Sequence, residues 1–286
     1  MRSAFHIEIP TPDKLILNGL WFGPKKPKKL IIFIHGLTGS AFSMKRVVDA
    51  MVTKDTAVIT FNNRGFEQVT SVKRAIGKKT TYVSAGTAHE VFIDSKYDIE
   101  GAVRFAQKMG VKHSYLAGHS TGCQKAIYWA AQGGKGIRGI ILFGPLSDYS
   151  GALMSKGKRV LERGVAVARK RIAADKAHEL MPKRYIEWFL CDAQRYVSLY
   201  SQHSKEEIFT YARPEVEPKT LQKNSYPTLV LLAGADEYGD RAPNEIAAWF
   251  QNSVRGPHKV VIVPKVGHGF KGGERVVSKW VKAFMK

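Results

Sequence analysis

Cysteine is nearly absent from this chain. Only Cys123 and Cys191 occur among 286 residues, too few for a disulfide framework and without the C-x-x-C spacing of a metal site. Both read as reduced core residues, and neither a metal nor any other cofactor is expected. Long apolar runs are missing as well: stretches such as Leu30 to Ile34 are far too short to span a bilayer. The first ten residues alternate like a strand and lack the apolar region and small-residue cleavage site of a signal peptide. These absences predict a soluble cytoplasmic protein. Acidic side chains are also scarce, 24 against 45 Lys and Arg, for a net charge of +21. A positive field of that size would draw anionic partners. The lysines are nevertheless spread along the chain and no nucleic-acid-binding motif accompanies them, so nucleic acid is not an expected partner. Internal repeats and low-complexity segments are lacking too.

What is present is a hydrophobic content of 44%, enough for a large core in one α/β domain or a domain with an insertion. Phe5 to Ile9 and Lys14 to Phe22 read as an antiparallel strand pair joined by the turn Pro10-Thr-Pro-Asp13. Leu30 to Ile34 and Thr56 to Phe61 read as strands buried on both faces, as in a parallel sheet, with a helix over Ser43 to Val52 between them. Glu67 to Glu90, polar and rich in Gly and Thr, reads as a long loop. An amphipathic helix over Asp94 to Met109 follows. The strand His113 to Ala117, the helix Ser120 to Gln132 and the strand Ile137 to Phe143 continue the alternation, which predicts a parallel sheet covered on both faces with its ligand site beyond the strands' carboxyl ends. The pattern stops between Ser147 and Tyr226, where helical stretches over Gly157 to Ala174 and Lys183 to Tyr200 replace it. It resumes with the strand Pro227 to Ala233, the helix Asn244 to Gln251, the strand His258 to Val263 and the helix Gly273 to Met285. The expected organisation is therefore a core domain of residues 1–146 and 227–286, carrying a helical cap of residues 147–226 over the site.

Gly118-His-Ser-Thr-Gly122 falls where a buried strand meets a helix, the context of a nucleophile elbow. A serine in so tight a turn has its hydroxyl clear of the backbone, and glycines two before and two after let strand and helix approach. Ser120 needs a base, and the base needs a partner to hold its tautomer. His268, in Gly267-His-Gly-Phe270, and Asp236, in Gly234-Ala-Asp-Glu-Tyr238, follow the last two strands. Glu237 and Asp240 are rivals for the acid role; Asp236 is favoured because it comes soonest after its strand. The backbone amides of Leu37 and Thr121 stand where an oxyanion would need donors. His35, Gly36 and His119 would line the pocket. His119 would pack or line rather than react, and Cys123 would sit beneath the elbow.

With His35-Gly36, the elbow, Asp236 and His268 in this order, the chain resembles the α/β-hydrolases everywhere except in the inserted segment. The resemblance implies a mostly parallel eight-stranded sheet with helices on both faces, and a Ser-His-Asp serine hydrolase that cleaves carboxylic esters through an acyl-enzyme without a cofactor. Acyl transfer, peptidase and perhydrolase chemistry use the same triad, and a non-catalytic basic binding module is the alternative of another class. His35-Gly-Leu-Thr-Gly-Ser40 resembles the corresponding loop of bacterial monoacylglycerol lipases, carboxylesterases and cinnamoyl esterases. Gly118-His-Ser-Thr-Gly-Cys-Gln124 with Asp236-Glu-Tyr238 is similar instead to a group that includes fungal siderophore ester hydrolases. In many relatives the acid loop continues into Val-Pro, whereas here Tyr238-Gly-Asp-Arg-Ala-Pro243 intervenes. A serine at the elbow argues against the haloalkane dehalogenases, which carry aspartate there.

Within the inserted segment Tyr185, Trp188, Phe189, Tyr196 and Tyr200 recur at helical spacing. They read first as packing between cap and core, with Trp188 and Phe189 as candidates for the pocket. Lys156 to Arg184 holds ten basic and three acidic residues. A solvated helix face accounts for that cluster; near the mouth of the site it would instead favour an anionic or lipid-like ester, or peripheral contact with an anionic membrane.

Overall fold

The computed structural model describes residues 3–286. Ten strands form one sheet: β1 (Ala4–Pro10), β2 (Leu15–Phe22), β3 (Lys29–Ile34), β4 (Thr56–Phe61), β5 (Thr70–Ile76), β6 (Lys79–Ala85), β7 (His113–His119), β8 (Ile140–Phe143), β9 (Thr228–Ala233) and β10 (His258–Val263). Its central path runs β10-β9-β8-β7-β3-β4-β2, with β1 paired outside β2. All pairs from β4 through β10 along this path are parallel, and β2 is antiparallel to both β1 and β4. These are the eight expected strands.

The period-2 geometry of a strand divides the core in two. On β3, Leu30, Ile32 and Ile34 point into one hydrophobic cluster and Ile31 and Phe33 into the other. Helices α2 (Ser95–Lys108), α3 (Thr121–Ala131) and α8 (Pro243–Ser253) cover the first face. Helices α1 (Lys45–Met51) and α9 (Glu274–Phe284) cover the second. A strand buried on both faces needs continuous apolar sequence, which is why β3, β4 and β9 are legible as apolar runs.

Strands β5 and β6 correct the expectation of a loop over Glu67 to Glu90 and bring the sheet from eight strands to ten. They form a hairpin in register from Thr70↔Ala85 to Ile76↔Lys79, closed by Gly77-Lys78. Gly77 has φ +60° while Lys78 stays out of the positive-φ region, the arrangement of a type II′ turn with glycine first. The hairpin attaches through Arg74 and Lys73 to Leu15 and Ile16 of β2, on the edge that β4 occupies further along. Of its apolar residues Val72 and Ala85 are buried and Val83 packs against the core, while Ile76 and Tyr82 are exposed. So thin an apolar face leaves a sequence that resembles a loop.

Between β8 and β9 lie α4 (Asp148–Lys156), α5 (Lys158–Ala173), α6 (Ala193–Tyr200) and the short α7 (Lys219–Gln222). This segment has a hydrophobic cluster of its own, in which Leu161 and Ala168 of α5 meet Tyr185, Phe189, Tyr196, Leu199 and Tyr200. The expected helix over Lys183 to Tyr200 is confined to its last eight residues. Asp192 caps that helix, its side chain accepting from the Arg195 N–H, and an Asp at this position starts a helix rather than continuing one. Before it, Met181 N–H donates to Cys191 O at 2.7 Å, so the chain folds back on itself. The spacing of Tyr185 and Phe189 therefore records burial in a common cluster and not helical periodicity.

Glu207 shows how this segment is braced internally. Its side chain is 2% exposed and accepts from the hydroxyl of Ser147, the N-cap of α4, at 2.8 and 2.9 Å. Burial pushes its carboxyl up to about 7, with Glu206 adding to the rise and Ser147 and Arg213 opposing it. An unfolded glutamate ionises near 4.5. Between those two values the native state holds a proton that the unfolded state has released, so stability falls as pH rises from about 4.5 to about 7. Urea midpoints should decline from pH 5 to pH 8 more steeply in the wild type than in Glu207→Gln. A wild-type-minus-variant difference that is constant with pH would refute this.

Candidate functional site

The elbow between β7 and α3 is built from close approaches. A Cβ at Gly118 would lie 2.3 Å from Gly122 O, and one at Gly122 would lie 2.5 Å from Ile34 O on β3, so only glycine lets strand, turn and helix pack this closely. Ser120 at the tip has φ 53° and ψ −125°, a strained conformation for a residue with a Cβ, of the kind that persists where surrounding structure imposes it. Its N–H donates to Phe143 O at the end of β8 at 2.9 Å, which fixes the turn to the neighbouring strand.

His268 stands over the same strand end: a Cβ at Gly144 would come within 3.0 Å of its Cε1. His268 Nδ1 is 2.8 Å from Asp236 Oδ2, and only 9% and 7% of the two side chains are exposed. This contact requires the proton on Nδ1 and leaves Nε2 as the acceptor. The rival acids are occupied elsewhere. Glu237 Oε2 accepts the backbone N–H of His268 at 2.8 Å, and Asp240 accepts from Ser150 and pairs with Arg241. Parallel strands bring these residues together because β7, β8, β9 and β10 all present their carboxyl ends on one side. Among the described residues Ser120 Oγ makes no hydrogen bond to His268.

The loop after β3 borders the elbow, where a Cβ at Gly36 would lie 2.7 Å from Ser120 Cβ. The Thr121 N–H opens helix α3 and has no intrahelical acceptor, and such free N–H groups at a helix start face anions. The Leu37 N–H likewise has no acceptor among the described residues. Leu37's side chain packs against the cluster of the inserted segment, and Thr38 beside it has φ 55°.

His119 lies between these parts. Its Nε2–H donates to His268 O at 3.0 Å, and the two rings are 4.7 Å apart. Burial, with the nearby His268 adding to it, lowers its pKa to about 3, so it is a neutral donor that holds the His268 loop. His35 is also buried and neutral, its pKa lowered to about 4 by burial first and by Lys125 second, and its Nδ1–H donates to Gly36 O at 2.8 Å. Cys123 is fully buried beneath the elbow and donates to Gly118 O; burial pushes its thiol well above the ordinary range. Phe189 is buried in the cluster of the inserted segment, whereas Trp188 stands 58% exposed beside it, the ring centroids 4.4 Å apart.

Sequence reasoning does not single out two features. Tyr238, 59% exposed, sets its ring edge-on to His268 at 5.1 Å. The second is a buried ion network behind the elbow. Glu90 Oε1 is 2.6 Å from Lys125 Nζ on α3, and Glu90 Oε2 is 3.1 Å from Arg195 on α6, which pairs in turn with Glu206. Charged residues of this kind look like surface in a sequence; in the structure the carboxylate packs so closely that a Cβ at Gly65 would meet Glu90 Oε2 at 2.4 Å.

Residues 24–279 match the family described as "Protein of unknown function (DUF1749)". The chain belongs to that family. Among curated proteins none matches the sequence. In three dimensions it is similar to the α/β hydrolase GrgF from Penicillium sp. sh18, with 15% identity over 99% of this chain and 98% of that one and a TM-score of 0.71. It is similar also to the siderophore hydrolase EstB from Aspergillus fumigatus, with 16% identity, the same coverage and a TM-score of 0.69. Est1E from Butyrivibrio proteoclasticus, solved with ferulic acid, matches at 20% identity over 98% of this chain and 97% of its own, with a TM-score of 0.65. DUF1749 thus has, in this member, the α/β-hydrolase fold. No helix among the described residues is long and apolar enough to cross a membrane.

Proposed function

We propose that this member of DUF1749 is a serine hydrolase of carboxylic esters. Ser120 Oγ attacks the ester carbonyl while His268 Nε2 takes its proton, and Asp236 holds the imidazole in the tautomer this requires and stabilises the imidazolium. The amides of Leu37 and Thr121 donate to the oxyanion. His268 then returns the proton to the leaving alcohol, and water hydrolyses the acyl-enzyme by the reverse sequence. The observation that carries this reading is the buried 2.8 Å contact between His268 Nδ1 and Asp236, beside a serine held at positive φ. The segment between β8 and β9 acts as a cap over the cleft, which the packing of Leu37 against its cluster supports. EstB is a siderophore hydrolase and Est1E was solved with ferulic acid, so bulky and aromatic acyl esters belong in the first substrate panel beside simple p-nitrophenyl esters from acetate to palmitate. Hydrolysis of at least one member is expected; a folded protein inactive on all of them would count against the proposal.

The acid assignment is separately testable. Asp236→Asn keeps the shape of the side chain but no longer favours the Nδ1–H tautomer, and kcat should fall by roughly 10⁴. Glu237→Gln retains an oxygen for the His268 N–H and should cost far less. Near-wild-type kcat in Asp236→Asn, with a large loss in Glu237→Gln or Asp240→Asn, would overturn the assignment.

A further inference from the structure

Away from the elbow, three side chains that are distant in sequence converge on one point. His89 Nδ1 lies 3.1 Å and His178 Nδ1 lies 2.8 Å from the same oxygen, Oδ2 of Asp192. All three candidate ligand atoms are within 4.8 Å of one another. Asp192 is completely buried, and its other oxygen is committed to the Arg195 N–H at 2.8 Å. Among the described residues it pairs with no lysine or arginine; the two histidines are its only partners of basic type. A fully buried carboxylate is ordinarily paired with a cation or bound to a metal. Arg195, whose backbone N–H Asp192 accepts, directs its guanidinium at Glu90 and Glu206 instead.

We propose that His89, His178 and Asp192 bind a divalent zinc-type ion that ties the segment between β8 and β9 to the core. His89 belongs to the core, immediately before α2 and its leading turn, whereas His178 follows α5 and Asp192 precedes α6. The backbone around them is already braced: Asp192 N–H donates to Ala88 O at 2.9 Å, Gln194 N–H to Ala177 O at 3.0 Å, and Leu180 bridges Asp192. Two imidazoles with one carboxylate suit zinc, and also cobalt or nickel, better than calcium or magnesium, which favour all-oxygen sets. Zinc–nitrogen and zinc–oxygen bonds near 2.0–2.2 Å place tetrahedral ligands roughly 3.3 Å apart. Side-chain shifts of about an ångström reach that geometry from the present one. On binding, each imidazole moves its proton from Nδ1 to Nε2, so the metal replaces two N–H···O contacts without a net loss of protons from neutral rings. With His178 65% exposed, the fourth position opens to solvent and takes water.

The site has no part in the ester chemistry proposed at Ser120 and stands or falls without it. The full-length protein, stripped with a chelator, should bind one equivalent of Zn²⁺ in calorimetric titration and retain it through gel filtration. Its melting temperature should rise on addition of zinc, and Co²⁺ in place of zinc should give the visible absorption of a tetrahedral site. His178→Ala removes an exposed side chain and should fold as the wild type does. It and His89→Ala should each weaken zinc binding by at least roughly tenfold and lose both the cobalt spectrum and the zinc-dependent rise in melting temperature. Failure of the wild type to retain zinc, or retention by both variants with wild-type affinity, overturns the site.

Discussion

Ser120→Ala will fail to react with a fluorophosphonate probe that labels the wild type, and its ester hydrolysis will fall by roughly 10⁴–10⁶. The substitution removes one oxygen at a position whose geometry the fold dictates. Ser120 adopts φ 53° because Gly118 and Gly122 permit helix α3 to press on β3 and β7, and because its N–H is held by Phe143 O. Alanine tolerates that conformation as serine does, so the variant should melt within a few degrees of the wild type. The size of the loss follows from a triad acting as a unit: without the nucleophile, His268 and Asp236 have nothing to activate, and only the Leu37 and Thr121 amides remain to polarise a bound ester. Intact-protein mass spectrometry would show the probe adduct in the wild type and none in Ser120→Ala. Equal labelling of both proteins would sink the mechanism, and labelling of neither in folded samples would favour a non-catalytic role for the scaffold. Cys123 offers no substitute nucleophile, since burial keeps it a thiol, donating to Gly118 O beneath the turn.

How much of this could be read beforehand depends on how local each cause is. Strand β3 is legible because burial on both faces demands the unbroken run Leu30 to Ile34. The convergence of loops at residues 35, 120, 236 and 268 is legible because parallel strands send their carboxyl ends to one side. The hairpin of β5 and β6 is not, since its fold rests on a two-residue turn at Gly77 and a few apolar contacts, with most of its side chains in solvent. The aromatic residues before Asp192, Tyr185 and Phe189 among them, are misleading for the opposite reason: an irregular segment drawn into a hydrophobic cluster can imitate helical spacing. The pairings of Glu90 with Lys125 and Arg195, and of Asp192 with His89 and His178, are hidden altogether. A charged residue's burial depends on a partner that is, for Glu90 and Arg195, about a hundred positions distant, and a single sequence carries no mark of which partner that is.

The buried pairings also set the largest stability effect expected in the molecule. Glu90→Gln should destabilise the fold by about 3–5 kcal/mol, the cost of removing one member of a buried ion pair and leaving its partners uncompensated. The Glu90 side chain is 1% exposed, as are its partners within a percent or so: Lys125 at 2% and Arg195 at 0%. Burial alone would raise its pKa, but Lys125 and Arg195 outweigh burial and hold it below the ordinary carboxylate range. Glutamine keeps the volume and so avoids both a cavity and a new clash at Gly65. What it loses is charge: Lys125 keeps only neutral oxygens, that of Asn63 at 3.2 Å among them, and Arg195 keeps Glu206 alone. For a chain of this size each kcal/mol lowers the melting temperature by roughly 2–4 °C, so thermal denaturation should show a drop on the order of 10 °C. A second substitution separates charge from shape. Lys125→Met in the Glu90→Gln background removes the stranded ammonium, and the double variant should recover part of the loss. If Glu90→Gln melts with the wild type, the network is not stabilising. If the double variant is less stable than Glu90→Gln by the full cost of Lys125→Met alone, Glu90 and Lys125 are not coupled. Because Lys125 lies on the helix that begins at the elbow and Arg195 on the inserted segment, the same variant should also make the loops after β3 and β4 exchange their amide hydrogens faster, linking the strength of this one carboxylate to the order of the site in front of it.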